Sequence, residues 1–188
     1  FDPETSQWEI LADMPNPRGA GAAVHLHGRI MIVGGVGVGT TLLSYDIGAG
    51  EWTSFPGDLR IPGDHIRAVV FENEIWWIGG RIGEGPAGST SNGVLIWNPV
   101  SQTWREGPSM TYARSGFAAG VVKGQIIVVG GERVDIVPPQ LIATAEVFAP
   151  GAVGWAAGLL PGLPGPGLES PPGLLALALG LAWILAVG

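Results

Sequence analysis

The sequence predicts an all-β fold assembled from repeated four-stranded units, and three observations carry that expectation. An 18-residue block, Arg114 to Gly131, recurs without a gap at Arg18 to Gly35, at Gly63 to Gly80 and, in blurred form, at Pro171 to Gly188. An aromatic residue stands seven positions before a tryptophan four times: Phe1 and Trp8, Tyr45 and Trp52, Trp97 and Trp104, Phe148 and Trp155. The third is texture: 32 glycines and 16 prolines punctuate short β-branched and aromatic runs, as expected for strands joined by turns.

Each block reads as a hairpin. Two apolar runs flank His27-Gly28, Glu72-Asn73 or Lys123-Gly124, and a two-residue turn matched to strand twist needs positive φ at both central positions. The second runs, Arg29 to Val33, Glu74 to Ile78 and Gln125 to Val129, are apolar on both faces, so each is expected between two sheets. Every well-preserved second run ends in a glycine pair, which predicts backbone sites with no room for a Cβ. A third strand closes on the repeated aromatic. Asp-Pro or Asn-Pro then turns the chain, and the tryptophan lies on an outer fourth strand whose edge it covers. In the blurred copy Gly173 and Ile184 hold their places, but Gly180-Leu181 stands at the turn.

Strand, glycine pair, loop, aromatic-Asp, six residues to Trp, then Pro15-Asn16-Pro17-Arg18 resembles the kelch motif. The resemblance implies a kelch-type β-propeller with one four-stranded antiparallel blade per repeat of about 50 residues. The chain is then a partial arc of about four blades: half a blade, three blades and half a blade, read as a piece of a longer propeller in preference to a closed ring. Residues 1–149 are expected to be blades. Residues 150–188 are a Gly/Pro-rich linker and a degenerate half-blade, with an apolar helix over Leu174 to Val187 as the rival. That run is shorter than the roughly 20 residues a membrane crossing needs, so an anchor is the lesser reading.

Composition narrows function. A formal charge of -7 with 9 Lys+Arg offers no basic stripe for nucleic acid. With no cysteine the chain has no disulfides and no thiolate metal sites, and it lacks the Cys-Tyr radical of copper oxidases among kelch-type propellers. No cofactor is expected. Gly34 to Gly39 has the look of a nucleotide loop, but Leu42 stands where a third glycine belongs. His25 and His27 share a strand face without a third ligand, and Asp58, Asp64 and His65 read as a solvated loop.

The expected function is protein binding, with a carbohydrate-active enzyme resembling sugar-acid epimerases as the alternative. In an antiparallel blade, connections after strands one and three leave by one face and those after strands two and four by the other. The tight turns are all of the first kind. The long loops, 36–43, 56–62, 81–92 and 132–143, are all of the second. Arg81, Glu84, Ser89, Asn92, Glu132, Arg133 and Asp135 are the polar residues of that face, while Arg18 and Arg114 open innermost strands near the axis. Arg81 and Arg133 read as equivalent positions of successive blades, two cations complementary to an acidic segment of a partner.

Overall fold

The structure, a computed structural model, describes residues 1–36, 42–55, 63–83 and 88–157. Asp58, Glu84, residues 37–39 of the glycine-rich 34–39 run and the whole of Leu174 to Val187 lie outside these residues.

Three four-stranded antiparallel sheets follow one another along the chain. The first is β1 (Ala22–Leu26), β2 (Arg29–Val33), β3 (Leu42–Asp46) and β4 (Glu51–Phe55), side by side in that order. A short strand, β5 (Gly63–Asp64), leads into the second, which consists of β6 (Arg67–Phe71), β7 (Glu74–Ile78), β10 (Val94–Asn98) and β11 (Thr103–Glu106). Between β7 and β10 the chain forms β8 (Arg81–Ile82) and β9 (Ser89–Thr90). The third sheet is β12 (Ala118–Val122), β13 (Gln125–Val129), β16 (Ala145–Phe148) and β17 (Ala156–Ala157), with β14 (Glu132–Arg133) and β15 (Gln140–Leu141) between β13 and β16. The third blade therefore continues past the expected boundary at residue 149.

Strand β6 packs against both β1 and β12, so first strands are innermost and the sheets radiate from a common axis as propeller blades. Side-chain alternation along β7 explains why. Ile75 and Trp77 pack with Leu26, Met31, Val33 and Leu42 of the first blade. Trp76 and Ile78 pack with Phe117, Ile126, Val128 and Phe148 of the third. A strand buried on both faces is what successive blades need, and the core is two interblade layers with no single centre.

Local chemistry fixes the turns. All three hairpin turns have positive φ at both central residues: 51° and 73° at His27-Gly28, 49° and 63° at Glu72-Asn73, 50° and 69° at Lys123-Gly124. After the third strand, Asp46 Oδ1 accepts from the amides of Gly48 and Ala49 at 3.0 and 2.9 Å, and Asn98 Oδ1 accepts from Val100 and Ser101 at 2.9 and 3.0 Å. Residue 47 is isoleucine, so the side-chain acceptor makes this turn and proline is optional. Trp8, Trp52 and Trp155 pack their rings against the aromatic seven positions earlier, with Tyr45 and Trp52 centroids 5.0 Å apart, whereas Trp104 meets Trp77 edge-on at 6.3 Å. Two indole N–H groups fasten the incoming crossover, Trp52 to the Ala12 carbonyl at 2.9 Å and Trp155 to that of Pro108 at 2.8 Å.

Blade meets blade through backbone. Gly35 N donates to Gly63 O at 3.0 Å and His65 N to Ala20 O at 2.8 Å, joining the first blade to the second. Gly80 N donates to Arg114 O at 2.9 Å and Gly116 N to His65 O at 3.2 Å, repeating the pattern one blade on. This approach is what excludes a side chain from the second glycine of each pair. A Cβ on Gly80, at φ +98°, would lie 2.4 Å from Ile66 Cγ2 and 2.6 Å from the Asp64 carbonyl oxygen.

Gly80→Ala is accordingly expected to cost more than about 4 kcal/mol or to prevent folding, because neither the backbone oxygen nor the core isoleucine can withdraw. Gly28→Ala tests the alternative that any glycine at positive φ is equally sensitive. Its Cβ would meet nothing within 4 Å, so only left-handed strain of about 1–2 kcal/mol is expected. Urea unfolding of both variants checks this, and losses of similar size would contradict it.

Candidate functional site

The antiparallel order puts the tight turns at one end of the three blades and the long connections at the other. On the tight-turn side His27 Nε2 meets Asn73 Oδ1 at 2.7 Å, linking the hairpin tips of the first two blades. His27 thus holds a protein partner, and among the described residues no group of three or more His, Asp or Glu is arranged to hold a metal ion.

Among the described residues, the long-loop side carries short strands that the sequence pattern does not show. Strand β8 pairs with β5 on one side and β9 on the other, and β14 pairs with β15, so the loops carry their own short ribbons. Residue register corrects one expectation. Gly80 and Gly131 are equivalent, so Arg81 is level with Glu132, and Arg133 lies one position further on. The offset brings opposite charges together across the blade boundary: Arg81 Nη2 to Glu132 Oε1 is 2.7 Å. Arg81 Nε also donates to Ser115 Oγ at 3.4 Å, and Val134 N to Thr90 Oγ1 at 3.0 Å. Neighbouring loops are therefore stapled to each other.

Other expected site residues divide between surface and scaffold. Arg133 donates to both Asp135 oxygens, at 3.3 and 2.7 Å, within its own exposed loop. Those hydrogen bonds hold the Asp135 carboxyl down at about 2 and raise the Arg133 guanidinium further. Ser89 is exposed on β9, while Asn92 Nδ2 donates to the Met110 carbonyl at 2.8 Å and braces the next crossover. Arg18 Nη1 donates to Gly34 O at 3.2 Å.

Arg114 does not reach the surface. It is wholly buried and donates to Gly130 O at 2.7 Å, Thr144 O at 3.0 Å and Glu146 Oε1 at 2.7 Å, all in its own blade. Among the described residues no hydrogen bond of its side chain reaches the neighbouring blade; only its backbone does so, the oxygen accepting from Gly80 N and the N–H donating to Ser91 O. Burial pushes its pKa down and Glu146 opposes that shift. Glu146 is equally buried, and accepts from the amides of Thr111 at 2.6 Å and Tyr112 at 3.2 Å. It went unnoticed in the sequence. The available signal was one carboxylate inside an otherwise apolar strand, Ala145 to Phe148, where an ion is tolerated only with a partner.

This pair bears on catalysis. An enzyme of the carbohydrate-active class needs a carboxylate or His within reach of Arg18 or Arg114 and open to substrate; Glu146 is within reach of Arg114, but both side chains are fully buried, so this pair serves the scaffold. A separate acid and base, Asp64 and His65, hydrogen-bond each other at the axial end of β5.

Comparison with known proteins agrees with this architecture. The solved structure of YjhT superposes with a TM-score of 0.68 at 18% identity, over 79% of this chain and 53% of that one. The chain is an arc of β-propeller blades. The family model described as the Kelch motif matches residues 64–111, and the blades are kelch repeats. Kelch-like protein terF of Aspergillus terreus is 29% identical over 162 residues, 79% of this chain and 34% of its own length. Kelch-like ECH-associated protein 1B of Danio rerio is 32% identical over 86 residues, 45% of this chain and 14% of its own length. The chain thus spans about a third or less of these relatives.

Replacing Glu146 by Ala is expected to cost about 3–5 kcal/mol, since it strands a buried guanidinium. The double replacement Arg114→Met with Glu146→Leu should recover most of that loss. Thermal and urea unfolding would contradict the burial argument if Glu146→Ala lost under about 1 kcal/mol or the double variant were the worse.

Proposed function

We propose that this chain is part of a protein-binding propeller whose partner docks on the long-loop face. One observation carries the reading: every long connection leaves by one end of the blades, where paired ribbons and the Arg81–Glu132 bridge hold polar side chains in fixed relation. A prearranged polar surface loses little order on binding, which favours affinity. The opposite end carries the two-residue hairpin turns and the connections 47–50, 99–102 and 149–155, none of which forms a ribbon of its own. The name of one relative states an association, which supports a binding role for the fold without identifying a partner here.

Within that face Arg133 is the cation best suited to an acidic segment. Its side chain is 40% exposed and its ion pair is local, whereas Arg81 is spent on the neighbouring blade. A carboxylate of the partner would share or replace Asp135, and Arg forks favour such two-point contacts. Ser89 and Asp135 border the same loops; Glu132 and Asn92 position them.

Once a partner is isolated by affinity capture, Arg133→Glu should weaken its binding at least tenfold, about 1.4 kcal/mol, without lowering stability. Lys123→Glu, on the tight-turn face, should change binding less than twofold by the same titration. Equal losses, or loss only with Lys123→Glu, would assign the partner to the other face.

A further inference from the structure

The second blade departs from its neighbours at one internal position. Gly63 aligns with Arg18 and Arg114 in the repeat, and the register holds in space: Gly79 N donates to Gly93 O at 2.9 Å as Gly130 N does to Thr144 O at 3.2 Å. Arg18 and Arg114 each send a guanidinium to the carbonyl of the first glycine of the pair, Gly34 or Gly130. In the second blade that carbonyl, Gly79 O, takes its hydrogen bond at 3.2 Å from the indole of Trp77. The indole fills part of the space an arginine would use, since Trp77 Cζ2 lies 2.8 Å from where a Gly63 Cβ would be.

What remains is a cavity of about 230 Å³ beside β8, the start of β10 and the end of β11, lined by Gly63, Trp77, Arg81, Gly93, Leu95 and Glu106 among others. The carboxylate has moved as well. Leu95 occupies the position of Glu146, and Glu106 is its cross-strand neighbour, where the third blade has Ala157 opposite Glu146. Glu106 forms no hydrogen bond or ion pair among the described residues, and Arg81, which shares the cavity wall, is held by Glu132 at 2.7 Å. So the second blade keeps an acidic group, backbone carbonyls and an aromatic wall, and among the described residues has no guanidinium at the place where Arg18 and Arg114 supply one.

We propose that this pocket receives the guanidinium of an arginine side chain presented by the partner protein. The chemistry is that of the equivalent site in the third blade, where a planar fork donates to carboxylate and carbonyl oxygens, and Trp77 adds an aromatic wall of the kind on which guanidinium groups stack. An overall charge of -7 favours the approach of a cation. The inference rests on the long-loop face being the binding face, and names the residue that anchors there.

A small probe tests it without the partner. The tripeptide amide Gly-Arg-Gly, titrated into the ¹⁵N-labelled chain, is expected to shift the Trp77 indole N–H and the amides of Gly63, Gly93 and Gly107 saturably. Replacing arginine by citrulline, which keeps shape and loses charge, should weaken binding about tenfold. Glu106→Gln should weaken it about fivefold or more with the rest of the spectrum unchanged. Equal binding of the citrulline peptide, or no effect of Glu106→Gln, would overturn the proposal. So would free arginine binding more tightly than the tripeptide, which would indicate a small guanidino ligand. Arg60 stands three residues before Gly63 in the sequence, and a large gain in affinity on Arg60→Ala would overturn the proposal too, by showing that the chain's own arginine is the occupant. Because the probe needs no partner, its failure leaves the docking face to be decided by Arg133→Glu, and failure of that face leaves the probe result intact.

Discussion

The arrangement depends on how closely two backbones can approach at the inner edge of each blade boundary. A glycine amide at the end of the second strand donates to the carbonyl that leads into the next blade, Gly35 to Gly63 and Gly80 to Arg114. Two residues on, the bond is returned, from His65 to Ala20 and from Gly116 to His65. Ala20, His65 and Gly116 are equivalent positions and all have positive φ, 55°, 50° and 60°, although two of them carry side chains. That geometry costs on the order of 1–2 kcal/mol at each non-glycine, so the contact it permits is worth at least as much to the fold. Hydrophobic layers such as Trp76 and Ile78 against Ile126 and Val128 supply most of the stabilisation, but they are non-directional, and the reciprocal backbone bonds set where one blade sits against the next.

From that registration follows the character of the loop face. Once blades are fixed, residues just beyond the glycine pairs fall beside one another, and Arg81 of one blade meets Glu132 of the next. The charges of this face are mostly paired before any partner arrives. Their value lies in shape and in local exchange of ion pairs, not in a net positive field, which suits a chain of formal charge -7. The same registration makes the missing arginine of the second blade conspicuous. Trp77, Leu95 and Glu106 together replace the roles of Arg114, Val128 and Glu146, and leave space.

Much of the fold was legible because it is written locally and repeated. Hairpin turns, side-chain acceptors at Asp46 and Asn98, and the aromatic-tryptophan spacing each depend on residues within about one strand of each other, and repetition made them evident. The burial of Glu74 to Ile78 on both faces was readable from its apolar run. Less of the site was legible. Two-residue strands such as β8 and β14 are too short to show any periodicity, so their residues read as loop. Glu146 is 32 residues from Arg114, and nothing in the sequence marks them as partners. The offset between Arg81 and Arg133 is a single residue, which a count from the glycine pair blurs and an actual register resolves. Trp77 standing in for an arginine at position 63 needs spatial proximity that no spacing encodes.

Amide hydrogen exchange tests the central claim most directly, because the reciprocal bonds lie in segments that would otherwise count as loops. If they set the blades in register, the amides of Gly35, His65, Gly80 and Gly116 open only with the blades themselves. They should then exchange as slowly as strand amides of β7 and β13, through the same global unfolding. Exchange of these four at the rate of exposed loop amides, while β7 and β13 stay protected, would mean the blades are held by side-chain packing alone.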